Sequence, residues 1–186
     1  MRRSVEIVDL VRDDQWDLPT PCTRWTVRQL VQHMVSENHG FAAAADGGSD
    51  RESWTFRPVD EDLRVDYAAS ADRVVAAFAA DGVLDRTFRL PLISERMTFP
   101  ARQAISFHLL DYVVHGWDVA TALSLPIVID DDLVVAVQDI ADREVPDAPH
   151  REHPKSSFQP RLPVPDGASG QDRLLTALGR SPTWPR

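Results

Sequence analysis

Residues 101–123, ARQAISFHLLDYVVHGWDVATAL, form a 23-residue stretch with no internal proline that is apolar on most sides. A helix apolar nearly all round has to sit at the centre of its fold with other helices packed around it. Pro100 suits the first turn of such a helix, where its missing N–H costs nothing. Yet His108, Asp111, His115 and Asp118 interrupt the apolar surface at i, i+3, i+7 and i+10. At 100° per residue these four directions fall within about 80° of one another, so they share one stripe. Four titratable groups on a buried stripe lose hydration free energy unless they are paired, hydrated or bound to a metal.

The rest of the chain supplies covering helices. SVEIVDLVR (4–12) has near-helical apolar spacing and predicts a short first helix, stopped by the prolines of DLPTPCTRW. Thr26 and Gln29 form a capping box, after which Val27, Leu30, Val31, Met34 and Val35 make one stripe of a second helix reaching about Ala45. Leu63, Tyr67, Ala71, Val74 and Phe78 predict a third helix before Gly82. TFRLPLISERMTFP (87–100) reads as an irregular hairpin. Asp130–Asp132 place negative charge at the start of another helix carrying Leu133, Val134, Val137 and Ala141. A proline-rich loop at 145–168 precedes a C-terminal helix at 169–179. The expectation is one all-α domain over residues 1–186, an up-and-down bundle with a small hairpin and a C-terminal helical appendage.

Composition narrows the partners. With 20 Lys and Arg against 29 Asp and Glu, the net charge is −9. Nucleic-acid and anionic-membrane affinity come mostly from clustered basic residues, so neither partner is expected. The first residues lack the apolar core of a signal peptide. A single cysteine, Cys22, cannot form an internal disulfide, and a cytoplasmic setting is expected.

Asp111 and His115 have the i,i+4 spacing by which one helix offers two ligands to a divalent ion. His33 of the second helix is the best source of a third; His39, His150 and His153 are less well placed. A His, Asp, His set leaves room for water or substrate on the ion, as catalytic sites require. Spacing alone equally allows a plain helical ion pair between Asp111 and His115, with His33 a partly buried imidazole bonded to a carbonyl. Asp118 reads either as a carboxylate accepting from a ligating imidazole or as a local backbone partner. His108 reads as a buried, hydrogen-bonded histidine held in reserve as a ligand. Trp25 and Trp117 read as core anchors and Cys22 as structural.

The motif PTPC-x-x-WTV-x-x-L-x-x-H (19–33), followed by D-x-x-x-HGWD (111–118), resembles the DinB-like superfamily. The match is to its actinobacterial metal-binding branch, related to the mycothiol-dependent maleylpyruvate isomerase N-terminal domain. The segment QPRLPVPDGASGQDRLLTALGRSPTW (159–184) is similar to the tail of a metal-binding subfamily of that branch. The resemblance implies a DinB-like up-and-down four-helix bundle and a divalent metal, zinc first and nickel second, held by His33, Asp111 and His115. Asp111 stands where the isomerase has Glu, one methylene longer. The region before the first motif is shorter than the family's usual first helix, and the isomerase's separate C-terminal domain has no counterpart, so activity on maleylpyruvate is not implied.

Two functions fit. One is a metal-dependent thiol S-transferase or isomerase, in which a low-molecular-weight thiol such as mycothiol is cosubstrate and a small electrophilic molecule is substrate. The alternative is a non-catalytic metal-binding or stress-related interaction module. Phe158 in the proline-rich loop is placed to cover the site, and an abbreviated first helix would expose core surface to a homodimer partner.

Overall fold

The computed structural model describes residues 1–58, 60–153 and 156–185. Pro154 and Lys155, within the proline-rich loop, lie outside the described residues. Among the described residues six α-helices carry the fold: α1 (Arg2–Asp9), α2 (Val27–Ala45), α3 (Leu63–Phe78), α4 (Ala101–Ala122), α5 (Asp131–Glu144) and α6 (Gly170–Ala177). Two three-residue strands, β1 (Thr87–Arg89) and β2 (Thr98–Pro100), pair antiparallel with Phe88 opposite Phe99. No described helix is long and apolar enough to cross a membrane.

The predicted central helix is α4, and core clusters cover it along its length. Near its C-terminal end, Val119, Ala120 and Leu123 join Ile7 and Val8 of α1, Leu30 and Val31 of α2, and Tyr67 of α3. Near its start, Ala101 and Ala104 pack with Phe41 of α2, Val74 of α3, and Phe88 and Phe99 of the hairpin. On the remaining face, Leu110, Val113, Val114 and Trp117 meet α5 and α6 through Val137, Ile140, Leu174, Leu175 and Leu178. Only Arg102 of α4 is exposed, which explains why its apolar residues show no narrow stripe.

The helix ends follow local chemistry. Gln29 N–H donates to the Thr26 hydroxyl at 3.4 Å, and Thr26 N–H donates to Gln29 Oε1 at 3.0 Å, so both halves of the capping box form. Ser169 and Asp172 make the same reciprocal pair at the start of α6. The first helix is shifted from its expected span: α1 covers Arg2–Asp9, and Val11, though buried, follows its end. Gly40, in the middle of α2, exists for packing, because a Cβ there would lie 2.2 Å from the Trp54 ring.

Candidate metal centre

The facing surfaces of α2 and α4 bring His33, Asp111 and His115 together. One nitrogen or oxygen from each lies within 4.8 Å of the others, and this is the one such His/Cys/Asp/Glu group found among the described residues. Asp111 Oδ1 sits 3.3 Å from His115 Nε2 and 3.8 Å from His33 Nε2. Ligand atoms around a tetrahedral zinc with bonds of ~2.0–2.1 Å are ~3.3–3.4 Å apart, so Asp111 stands at that separation from His115 and somewhat beyond it from His33. The His33 and His115 rings are perpendicular, with centroids 5.2 Å apart.

Both imidazoles turn Nε2 toward Asp111 and Nδ1 toward a second carboxyl group. His115 Nδ1–H donates to Asp118 Oδ2 at 2.9 Å, while His33 Nδ1 lies 3.8 Å from Glu37 Oε1. The Asp118 carboxylate behind Nδ1 of His115 keeps a proton there and makes Nε2 the nitrogen that binds an ion, the arrangement found behind metal-bound histidines. The donor set therefore fits a divalent ion. Side-chain exposures of 24% for His33, 23% for Asp111 and 4% for His115 leave one side of the set open to solvent.

Electrostatics ties the group together. Burial opposes ionisation of Asp111, but the charge and hydrogen bonds of His115, with those of His33, hold its carboxyl well below the usual range. Burial likewise opposes protonation of His115, and Asp111 and Asp118 outweigh it, raising its pKa. Glu37 is pushed up to about 8, first by burial and then by the nearby Asp111, against the opposing effect of His115. Asp118, fully buried, is kept ionised against burial by Arg180 and His115.

Trp25 packs against the core, as expected, and also reaches the donor set. It is half-buried and stacks on His33 with ring centroids 4.4 Å apart at 28°, and it meets the His115 ring at 5.8 Å. The entering loop holds it there: the Thr20 hydroxyl lies 2.9 Å from the carbonyl oxygens of both Cys22 and Trp25. Trp117 is a core residue of the α4–α5–α6 cluster. His108, buried like His115 and Asp118, lies apart from the donor set, and its Nε2–H donates to Asn38 Oδ1 at 2.9 Å between Phe41 and Phe78. Cys22 is buried. His39 is half-buried, whereas His150 and His153 are exposed. Phe158 packs near α4, α5 and α6 with the Arg180 guanidinium 5.6 Å above its ring.

Glu37 and Arg180 were not anticipated. Glu37 follows His33 at i+4, the spacing that marked Asp111 and His115, and could have been found by the same rule. Arg180 is 62 residues from Asp118 and carries no local signal. A cleft of about 290 Å³ between α1, α4 and the start of α5 is lined by Ile7, Tyr112, Gly116 and Trp117 among others, and by none of His33, Asp111 and His115.

A predominantly helical protein with a His, Asp, His donor set between two central helices is the class these features define. The chain belongs to the mycothiol maleylpyruvate isomerase N-terminal domain family, which residues 1–120 match. Its relatives include two uncharacterized proteins of Mycobacterium tuberculosis, one from strain CDC 1551 / Oshkosh and one from strain ATCC 25618 / H37Rv. Each is 30% identical over 176 residues, covering 92% of this chain and 88% of the relative. No solved structure matches.

Proposed function

We propose that this chain binds one divalent ion, zinc first, through His33, Asp111 and His115 in a DinB-type four-helix bundle formed by α1 to α4. Its function in this reading is thiol-dependent transfer or isomerisation of a small electrophilic molecule in the cytoplasm. The observation that carries the reading is that two imidazoles turn Nε2 toward the one oxygen of Asp111, with Nδ1 of His115 held by the Asp118 carboxylate.

When bound there, a divalent ion supplies Lewis acidity that keeps a thiol as its thiolate near neutral pH. The chain supplies the rest. His33 and His115 bind through Nε2, Asp111 binds through a carboxylate oxygen, and Asp118 holds the proton on Nδ1 of His115. Trp25 shields one face of His33 from water. Cys22 is buried, so the reacting sulfur comes from a cosubstrate.

The cleft between α1 and α4 does not border the three donors, which favours a second reading: a metal-binding module without catalysis. Thermal melting separates the two. The enzyme reading expects a low-molecular-weight thiol to raise the melting temperature of the zinc-loaded chain and to have no effect after chelation. A thiol with no effect on the loaded chain leaves the module.

A further inference from the structure

We propose that Arg180, just beyond the end of α6, is a positioning residue of the metal centre: through Asp118 it fixes the ring of His115 and makes the docked C-terminal segment part of that centre. The inference rests on the metal reading of His33, Asp111 and His115.

Asp118 is 0% exposed and Arg180 2%. Asp118 Oδ2 accepts from His115 Nδ1 at 2.9 Å and from Arg180 Nη2 at 3.1 Å, and Oδ1 accepts from Arg180 Nε at 3.4 Å. The remaining guanidinium nitrogen, Nη1, donates to the Leu178 carbonyl at 2.9 Å. A carboxylate with no access to water stays charged only beside a counter-charge. Here that charge arrives from outside the helix that carries both His115 and Asp118.

The approach of Arg180 is fixed by how α6 ends. Arg180 N–H donates to the Leu175 carbonyl at 2.8 Å across Gly179, whose φ of +76° suits glycine. A Cβ on Gly179 would lie 2.7 to 2.9 Å from atoms of Gln159, so the turn also packs tightly on the preceding loop. Leu174, Leu175 and Leu178 seat α6 in the core shared with α4 and α5. Arg151, 2% exposed, ties the same segment together by donating from Nη2 to the Ala177 carbonyl at 2.8 Å and to the Gln159 carbonyl. Seating of this segment and orientation of His115 are therefore one structural event. By reciprocity, whatever metal affinity the docked segment adds, the metal returns as docking stability.

The test uses the full chain and zinc alone, with affinity read by competition against a chromophoric chelator. Arg180→Met is expected to weaken zinc binding about tenfold, the lower end of the range for losing a group directly behind a ligating histidine, since Arg180 acts through Asp118. Arg180→Lys, which keeps the charge but not the fork, recovers part of that loss. The double variant Asp118→Asn with Arg180→Met removes both charges and leaves neither orphaned, so it guards against simple misfolding. It is expected to regain melting temperature toward that of the wild type while zinc affinity stays low. A purely structural ion pair predicts that both recover together, and that result overturns the positioning role. So does an Arg180→Met chain that binds zinc as tightly as wild type. A wild-type chain that binds no zinc overturns the metal reading itself, and the positioning role with it, before any variant is compared.

Discussion

His115 and Asp118 lie one turn apart on α4 and are joined by a 2.9 Å hydrogen bond from Nδ1 to Oδ2, which leaves Nε2 of His115 facing Asp111 at 3.3 Å. In the metal-free chain that imidazole holds its proton more tightly than a free histidine, despite burial, because Asp111 and Asp118 flank it. An incoming ion must displace the Nε2 proton. Zinc affinity is therefore expected to rise with pH through the neutral range, about tenfold per unit, with release of about one proton per ion. Calorimetric titration in buffers of different ionisation enthalpy measures that release, and a pH-independent affinity would contradict it.

His108 sets a separate pH dependence. Burial between Phe41 and Phe78 lowers its pKa from the ordinary 6.5 to about 4. As pH falls through about 6.5 the unfolded chain takes up a proton at this residue and the folded chain does not. Stability is thus fully present above that value and declines until the folded histidine also titrates near pH 4, a loss on the order of 3 kcal/mol. Urea unfolding of the metal-free protein across that window should show the decline, and His108→Gln should flatten it. Equal slopes in the two proteins would remove His108 as the cause.

The parts of this architecture that depend on local patterning were legible in the chain. The capping box at Thr26, the placement of α4 at the centre and the Asp111–His115 pair all follow from spacing within one helix. His33 was harder, since nothing local states which way α2 turns toward α4. Periodicity grouped His108 with Asp111 and His115, but one turn along α4 the neighbours change from imidazoles to Phe41 and Phe78, and Asn38 takes its hydrogen bond. Trp25 belongs to a loop, where no period predicts contacts, and its stacking on His33 depends on the Thr20 bonds that shape that loop. Arg180 reaches Asp118 only through tertiary packing of α6, which no short-range pattern encodes.

Gly40→Ala probes the junction of α2 with the segment around Trp54. The added methyl would stand 2.2 to 2.5 Å from three ring atoms of a side chain that is itself 8% exposed. The gain in helix propensity, about 1 kcal/mol, does not offset overpacking of this kind, which costs typically about 1–3 kcal/mol. The variant is expected to unfold at lower denaturant than wild type, and Gly40→Ala with Trp54→Leu to lose less than the sum of its two single changes. A Gly40→Ala chain more stable than wild type would contradict this packing.

Metal analysis of the untagged full chain and of His115→Ala, each equilibrated with zinc and then desalted, tests the central claim most directly. The account predicts about one zinc per wild-type chain and none retained by the variant, with folding of both checked by circular dichroism. A wild-type chain without bound zinc, or a folded His115→Ala chain that keeps its full complement, would contradict it.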